Sequence, residues 1–339
     1  MAPINIGVIG LGRMGQIYSN HVARRVGQAR LVAVCDVAGE TAAQIAGQFT
    51  GVTAYTDYHD LLAHPDLQAV LVTTPTSTHP DVVIAAAQAG KAIFCEKPTA
   101  LSLGETDRMA AAVDRAGVAF QIGFMRRFDR GFRAAKEQIH AGVIGDPVTI
   151  RSISRDPFRT SLEYADPAKS GGIIVDMGIH DADICRWLMG DEVEQVYAQG
   201  RSLVFPELAD VGDVDNAMIL ANFRRGGLGF MEASRTARYG YDIQCEIIGT
   251  KGALRVGYLQ ETPLLVLTPA GVTHDVVPYF LERFGPAYTA QIDDFVACVQ
   301  TDRTPQSGPA DARAALQITL AATQSQHSGQ PVRVADIQN

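Results

Sequence analysis

From Ile4 to about residue 122 the chain alternates two patterns of apolar and polar positions. Short continuous runs rich in Val and Ile occur at Ile4–Ile9, Leu31–Asp36, Ala69–Thr73, Ala92–Cys95 and Val118–Ile122. Between them, in stretches such as Met14–Val26, Pro80–Ala89 and Leu103–Ala116, apolar residues recur at helical spacing. Runs with no polar alternation suit strands covered on both faces. Strand and helix in turn predict parallel strands joined by crossover helices. After a helix near Phe132–Ala141 the pattern changes. Strand signals follow one another at Val148–Ser154, Val193–Ser202, Asn216–Phe223, Leu228–Ala233, Ile243–Ile248, Leu254–Tyr258 and Leu264–Leu267, interrupted by one helix from about Gly178 to Leu188. Helical stretches at Tyr288–Gln300 and Ala310–Gln324 close the chain. These patterns predict an α/β domain over residues 1–123. An α+β domain with a large, mostly antiparallel open sheet is expected over residues 124–339.

Length agrees with two domains, since one usually holds roughly 100–200 residues. Hydrophobic residues make up 47% and charged residues 19% of the chain, which excludes the disordered class. A formal net charge of -8 gives little attraction for nucleic acid or an anionic membrane, so neither is expected as a partner. No apolar run approaches the ~18–20 residues of a membrane span. The start, MAPINIGVIG, has no signal-peptide pattern and reads as a strand. Cys35, Cys95, Cys185, Cys245 and Cys298 are far apart and contain no CxxC pair. They read as buried free thiols in a reducing compartment, and the expected location is cytoplasmic.

Gly10-Leu11-Gly12-Arg13-Met14-Gly15 follows the first strand and opens a helix, the context that gives G-x-G-x-x-G its meaning. Gly10 permits the tight turn, Gly12 lets a pyrophosphate approach the backbone, and Gly15 lets helix and strand pack closely. The helix N-terminus then offers free N–H groups and partial positive charge to phosphate. The first domain is thus expected to be a Rossmann dinucleotide-binding domain, with Arg13 and Met14 completing the phosphate turn. A plain turn in a similar fold without cofactor is the alternative. Asp36 ends the second strand, where an acid binds the ribose diol, and Val37 supplies no cation for a 2′-phosphate. NAD is therefore expected over NADP. Thr73, Thr74, Pro75 and His79 lie at the C-terminal edge of the sheet and are candidates to line the nicotinamide ribose.

Glu96-Lys97-Pro98 ends the next strand. Glu96 is a candidate cofactor contact. Lys97 could hydrogen-bond a substrate oxygen and stabilise a forming alkoxide, or be a solvated surface lysine. In Asp176–Asp183, a helix starting at about Gly178 would put Asp176, His180, Asp183 and Trp187 on one face. An imidazole with an ordinary pKa of ~6.5 suits proton abstraction near neutrality, and a carboxylate beside it would orient the ring. Helix capping by Asp176 and a core role for His180 are the alternatives for each residue alone. A metal on Asp176, His180 and Asp183 finds no further ligand cluster, so none is expected.

The chain resembles the glucose–fructose oxidoreductase/inositol dehydrogenase (Gfo/Idh/MocA) family over essentially its whole length. The resemblance rests on GLGRMG at 10–15, Asp36, EKP at 96–98, GFMRRFDRGF at 123–132, SRDP at 154–157, DMGIHDADICRWLMG at 176–190 and SRTARYGYD at 234–242. It implies NAD-dependent oxidation of a ring hydroxyl of a cyclic polyol, foremost myo-inositol to its 2-ketone. Lys97, Asp176 and His180 match the family's catalytic trio, with His180 as base. Arg127, Asp156, Asp183 and Tyr239 or Tyr241 fall where members contact polyol hydroxyls. Arg127 has an alternative as a surface ion pair with Asp129. The resemblance further implies a homo-oligomer, a dimer or homotetramer. Two other readings stay open. One is a dehydrogenase of another sugar or pyranoside, since a fold does not fix its substrate. The other is a non-catalytic NAD-sensing regulator, against which the presence of both Lys97 and His180 counts.

Overall fold

The computed structural model describes residues 2–338. The chain forms two compact units, one of residues up to 125 with 286–313, the other of residues 126–285 with 314–338.

The first unit holds six strands: β1 (Ile4–Ile9), β2 (Ala29–Cys35), β3 (Thr53–Tyr55), β4 (Ala69–Val72), β5 (Ala92–Cys95) and β6 (Phe120–Ile122). All pair in parallel, in the order β3-β2-β1-β4-β5-β6. This is the doubly wound order of dinucleotide-binding domains, whose ligand crevice lies at the C-terminal strand ends where the order reverses. Every residue of β4 and β5 is buried, as their unbroken apolar runs require. The helix Leu103–Ala116 begins where Ser102 accepts the Glu105 N–H and ends at Gly117, φ 63°, because its left-handed cap favours glycine.

The first boundary falls at residues 125 and 126, close to the expected Gly123, and residues 286–313 return to the first unit. A helix runs from Phe280 to Thr301, earlier than the expected start at Tyr288, and it contains Pro286. From Pro286 onward it belongs with the parallel sheet. There Tyr288 meets the Tyr18 ring edge-on with centroids 6.2 Å apart, and Phe295 meets Phe94 at 6.1 Å. Aromatic burial thus fixes this segment's allegiance.

The second unit is built on β7 (Pro147–Arg155), β8 (Val193–Arg201), β9 (Asn216–Phe223), β10 (Leu228–Ser234), β11 (Asp242–Gly249) and β12 (Ala253–Val256). A hairpin of β13 (Val266–Thr268) and β14 (Gly271–Thr273) stands apart from this sheet, although its first strand lies near the expected Leu264–Leu267. The short β15 (Val332–Arg333) completes the sheet order β12-β11-β7-β10-β9-β8-β15. β7 and β10 pair in parallel and the other neighbours antiparallel. β9 alternates buried and exposed residues, the mark of a sheet with one face on the core. Its exposed side carries Met218 and Leu220, 52% and 56% exposed, and Leu220 stands opposite Tyr197 of β8 and Phe230 of β10. Beside the expected helix, observed at Gly178–Met189, three short helices occupy Leu162–Ala165, Pro167–Ser170 and Gly172–Asp176. Among the described residues no helix is long and apolar enough to cross a membrane.

Candidate active site

The C-terminal strand ends of the first unit are tied into one connected surface. At Gly10, φ 89°, a Cβ would lie 2.6 Å from the Thr74 nitrogen, and at Gly15 it would lie 1.8 Å from the Gly10 carbonyl. Neither position admits a side chain. Gly12 faces open space, and no side chain caps the helix Arg13–Arg24 that starts beside it. An exposed glycine backbone before an uncapped helix N-terminus is suited to phosphate. Asp36 Oδ2 accepts the Leu11 N–H at 2.7 Å and Oδ1 the Ala38 N–H at 2.9 Å. The acid therefore fixes the glycine turn as well as closing β2.

Thr73 donates its hydroxyl to the Gly10 carbonyl at 2.6 Å, so it locks the turn to the end of β4. The Thr74 hydroxyl oxygen is buried without a hydrogen-bond partner. A buried orphan beside an open glycine turn fits a ligand that carries polar groups. Pro75 is exposed on the same loop.

Two expected cofactor contacts, His79 and Glu96, are buried and engaged by groups of the fold. His79 is buried, with Nδ1 2.9 Å from the Pro98 carbonyl and Nε2 2.8 Å from the Thr74 carbonyl. It clamps the β4 loop to the turn after β5, and burial pushes its pKa down to about 4 against the pull of those carbonyls. Glu96 is also buried. Its carboxylate accepts the Tyr18 hydroxyl and, at 3.0 Å, the Lys97 N–H. It lies against Gly123, where a Cβ would come within 2.9 Å of it. Burial raises the Glu96 pKa, opposed by Tyr18 and Lys97. Gln291 donates to the same Tyr18 hydroxyl at 2.6 Å. Lys97 itself is half-buried at this strand end, and the Lys97–Pro98 peptide is cis. Tyr18 and Gln291 carry no motif, so only the fold could reveal their part in holding the Lys97 backbone.

In the second unit Asp176 and His180 do not share one helix. Asp176 ends the helix Gly172–Asp176, and the next begins at Gly178 after Met177. The His180 N–H bonds the Met177 carbonyl at 3.2 Å, a three-residue turn that keeps the two residues close in sequence and rotation. The expected stripe is thus split. Positive φ at Gly171 and Gly172 starts the short helix independently of the longer one.

Asp176 Oδ1 accepts the Tyr164 hydroxyl at 3.1 Å, and Oδ2 accepts Arg235 at 3.0 Å. Asp183 is buried in a bidentate pair with Arg127, Nε to Oδ2 at 2.9 Å and Nη2 to Oδ1 at 2.5 Å. Arg127 is accordingly neither on the surface nor paired with Asp129, which instead accepts Arg283 at 2.8 Å. The Arg127 guanidinium also stands 5.9 Å over the Trp187 ring. Asp181 is fully buried and accepts Arg126 at 2.7 Å and the Ser152 and Ser154 hydroxyls.

Asp156 follows β7, its backbone bonded to Ser234 and Ala237. The two tyrosines of the 234–242 segment part company. Tyr239 is exposed and donates to Asp242 at 2.7 Å while accepting Arg155 at 3.1 Å. Tyr241 is buried against Tyr279 and Phe284, and burial together with the charge of Asp156 raises its pKa.

A parallel sheet in this order, an open glycine turn and an acid closing β2 define a dinucleotide-binding protein. The chain belongs to the Gfo/Idh/MocA oxidoreductases: residues 4–124 match the model of that oxidoreductase family's NAD-binding Rossmann fold, and residues 136–334 match its C-terminal alpha/beta domain. It is 40% identical to the scyllo-inositol 2-dehydrogenase (NAD(+)) of Bacillus subtilis, covering 98% of this chain and 96% of that protein. It is 38% identical to the myo-inositol 2-dehydrogenase of Thermotoga maritima, over 98% and 99%. A scyllo-inositol dehydrogenase from Lactobacillus casei, solved with NAD(H) and scyllo-inositol, matches with a TM-score of 0.94 at 31% identity, over 98% and 99% of the two chains.

Proposed function

We propose that this enzyme oxidises a ring hydroxyl of inositol, foremost myo-inositol at the carbon that gives 2-keto-myo-inositol, with NAD as acceptor. The observation that carries the reading is that two full-length relatives, at 40% and 38% identity, are inositol 2-dehydrogenases while this chain carries Lys97, Asp176 and His180. Bound NAD supplies the hydride acceptor. His180 takes the hydroxyl proton, Asp176 supports the imidazolium that results, and Lys97 holds the reacting oxygen and favours its negative charge. Asp156, the Arg127–Asp183 pair and one of Tyr239 and Tyr241 meet the remaining hydroxyls. A neutral polyol needs directed hydrogen bonds of this kind rather than a charge clamp.

The Bacillus subtilis relative favours a second substrate, scyllo-inositol. The two isomers differ only in configuration at the carbon oxidised, so both lead to one ketone. Steady-state NAD reduction with myo-inositol, scyllo-inositol, glucose and xylose decides the order. Strong turnover of a sugar with no response to either inositol would reject the reading. Lys97→Ala and His180→Ala are each expected to lower kcat by about 10²–10⁴-fold; full turnover in both would remove the assigned site.

The active form is a homo-oligomer, a dimer or tetramer, joined through the outer sheet face around Tyr197, Met218, Leu220 and Phe230. Exposed Tyr197, Met218 and Leu220 with half-buried Phe230 span three adjacent strands, as an interface requires. A reducing, cytoplasmic setting is supported by five cysteines that are buried and free.

A further inference from the structure

Asp176 is itself held from behind. Its Oδ2 accepts Arg235 Nη2 at 3.0 Å, and Arg235 Nη1 donates to Asp213 Oδ2 at 3.2 Å. Asp213 Oδ1 accepts the Ile173 N–H at 2.9 Å and rests so close to Gly172 that a Cβ there would stand 2.8 Å away. The Arg235 and Asp213 side chains are 3% and 4% exposed, so solvent screens them little. The three form a carboxylate–guanidinium–carboxylate line that carries one net negative charge. It ends at the carboxylate four residues before His180. Among the ionisable groups that meet Asp176 and Asp213 are Tyr164, from the helix Leu162–Ala165, and Arg235, which follows β10. Asp181 and Asp183, on the helix that carries His180, are closed onto Arg126 and Arg127.

We infer that Arg235 and Asp213 are positioning residues that set how strongly Asp176 holds a proton on His180. The inference rests on the assignment of His180 as base. One guanidinium shared by two carboxylates cancels only part of the charge of each. Without the charge on Asp213, Arg235 acts on Asp176 alone and weakens its field at the imidazole. His180 then loses its proton at lower pH and is a poorer acceptor. Tyr164 works on the opposite carboxylate oxygen. Without its hydroxyl, Asp176 concentrates more charge toward the imidazole and the effect reverses.

The test is the pH profile of kcat/KM for inositol oxidation in the wild type, Asp213→Asn, Tyr164→Phe and His180→Ala. The acidic limb is expected to move down by about half a pH unit in Asp213→Asn and up by a few tenths of a unit in Tyr164→Phe. A purely structural role would change Tm or KM and leave the limb in place. Tyr164 is 46% exposed and its substitution leaves packing nearly intact, so this variant keeps the test alive if Asp213→Asn fails to fold. A limb present in wild type, lost in His180→Ala and unmoved in the variants overturns this inference alone. A wild-type profile with no acidic limb, or one that His180→Ala retains, overturns the His180 assignment and the inference with it.

Discussion

His79 shows how a buried residue at a strand edge can tie two loops together. Its two ring nitrogens face two carbonyls, yet a neutral imidazole has one N–H. Burial prevails and holds its pKa at about 4, and His21 is lowered to about 4 chiefly by burial as well. The unfolded chain binds a proton at each site below about pH 6.5 while the folded one does not. Stability is therefore complete above that pH and declines as pH falls toward 4, by roughly 3 kcal/mol for His79 alone. Unfolding free energies measured between pH 7 and 4.5 should fall less steeply in His79→Gln than in the wild type. An unchanged slope would mean that the folded protein already carries an imidazolium there. In the sequence this residue belonged to a Thr/Pro loop at the ligand edge, and the loop is where it was expected. Its direction was not legible, because inward or outward orientation depends on where the Pro98 carbonyl arrives.

The helix Gly178–Met189 is the element on which the second unit's chemistry rests. Asp181 and Asp183 are both buried in it, so it is polar on its inner side and only weakly amphipathic. Asp181 pins the helix to β7 through Ser152 and Ser154 and to Arg126. Truncation would leave Arg126 charged and buried without its partner, the costly way to break an ion pair. Asp181→Ala is expected to destabilise the protein by about 3–5 kcal/mol, read as a lower midpoint in urea. A loss below about 1 kcal/mol would show that water reaches Arg126. The extent of this helix was legible to within a residue, from about Gly178 to Leu188, and in the structure Gly190, φ 60°, caps its end. The short helix before it was not. The Asp213 carboxylate that accepts the Ile173 N–H lies 40 residues away.

At the scale of the molecule, the -8 charge and the exposed sheet face act together. Like charge keeps copies apart unless an apolar surface outweighs it. Leu220→Glu places a new charge between Tyr197 and Phe230 and, for the proposed oligomer, should give a smaller species in sedimentation velocity. A wild type that is monomeric at assay concentration, or a variant that sediments unchanged, would rule out this face as the interface. The division into units is also a whole-molecule property. The helix Phe280–Thr301 passes through Pro286, and its later turns join the parallel sheet. Burial of Tyr288, Gln291 and Phe295 holds those turns there.

What the sequence determined by itself was local. β1, β5 and the helix Leu103–Ala116 lie at the residues their patterns predict, because buried strands and capped helices are written in consecutive side chains. The glycine turn and Asp36 were legible for the same reason, since a few adjacent backbone positions set that geometry. β3 was missed because three residues, two of them exposed, carry no period. Tertiary structure alone decided the partners of each charge: Arg127 with Asp183 rather than Asp129, Glu96 with Tyr18, Arg235 with both Asp176 and Asp213. Ion pairs in a core form between residues far apart in the chain, and no pattern along one segment records which arginine will arrive.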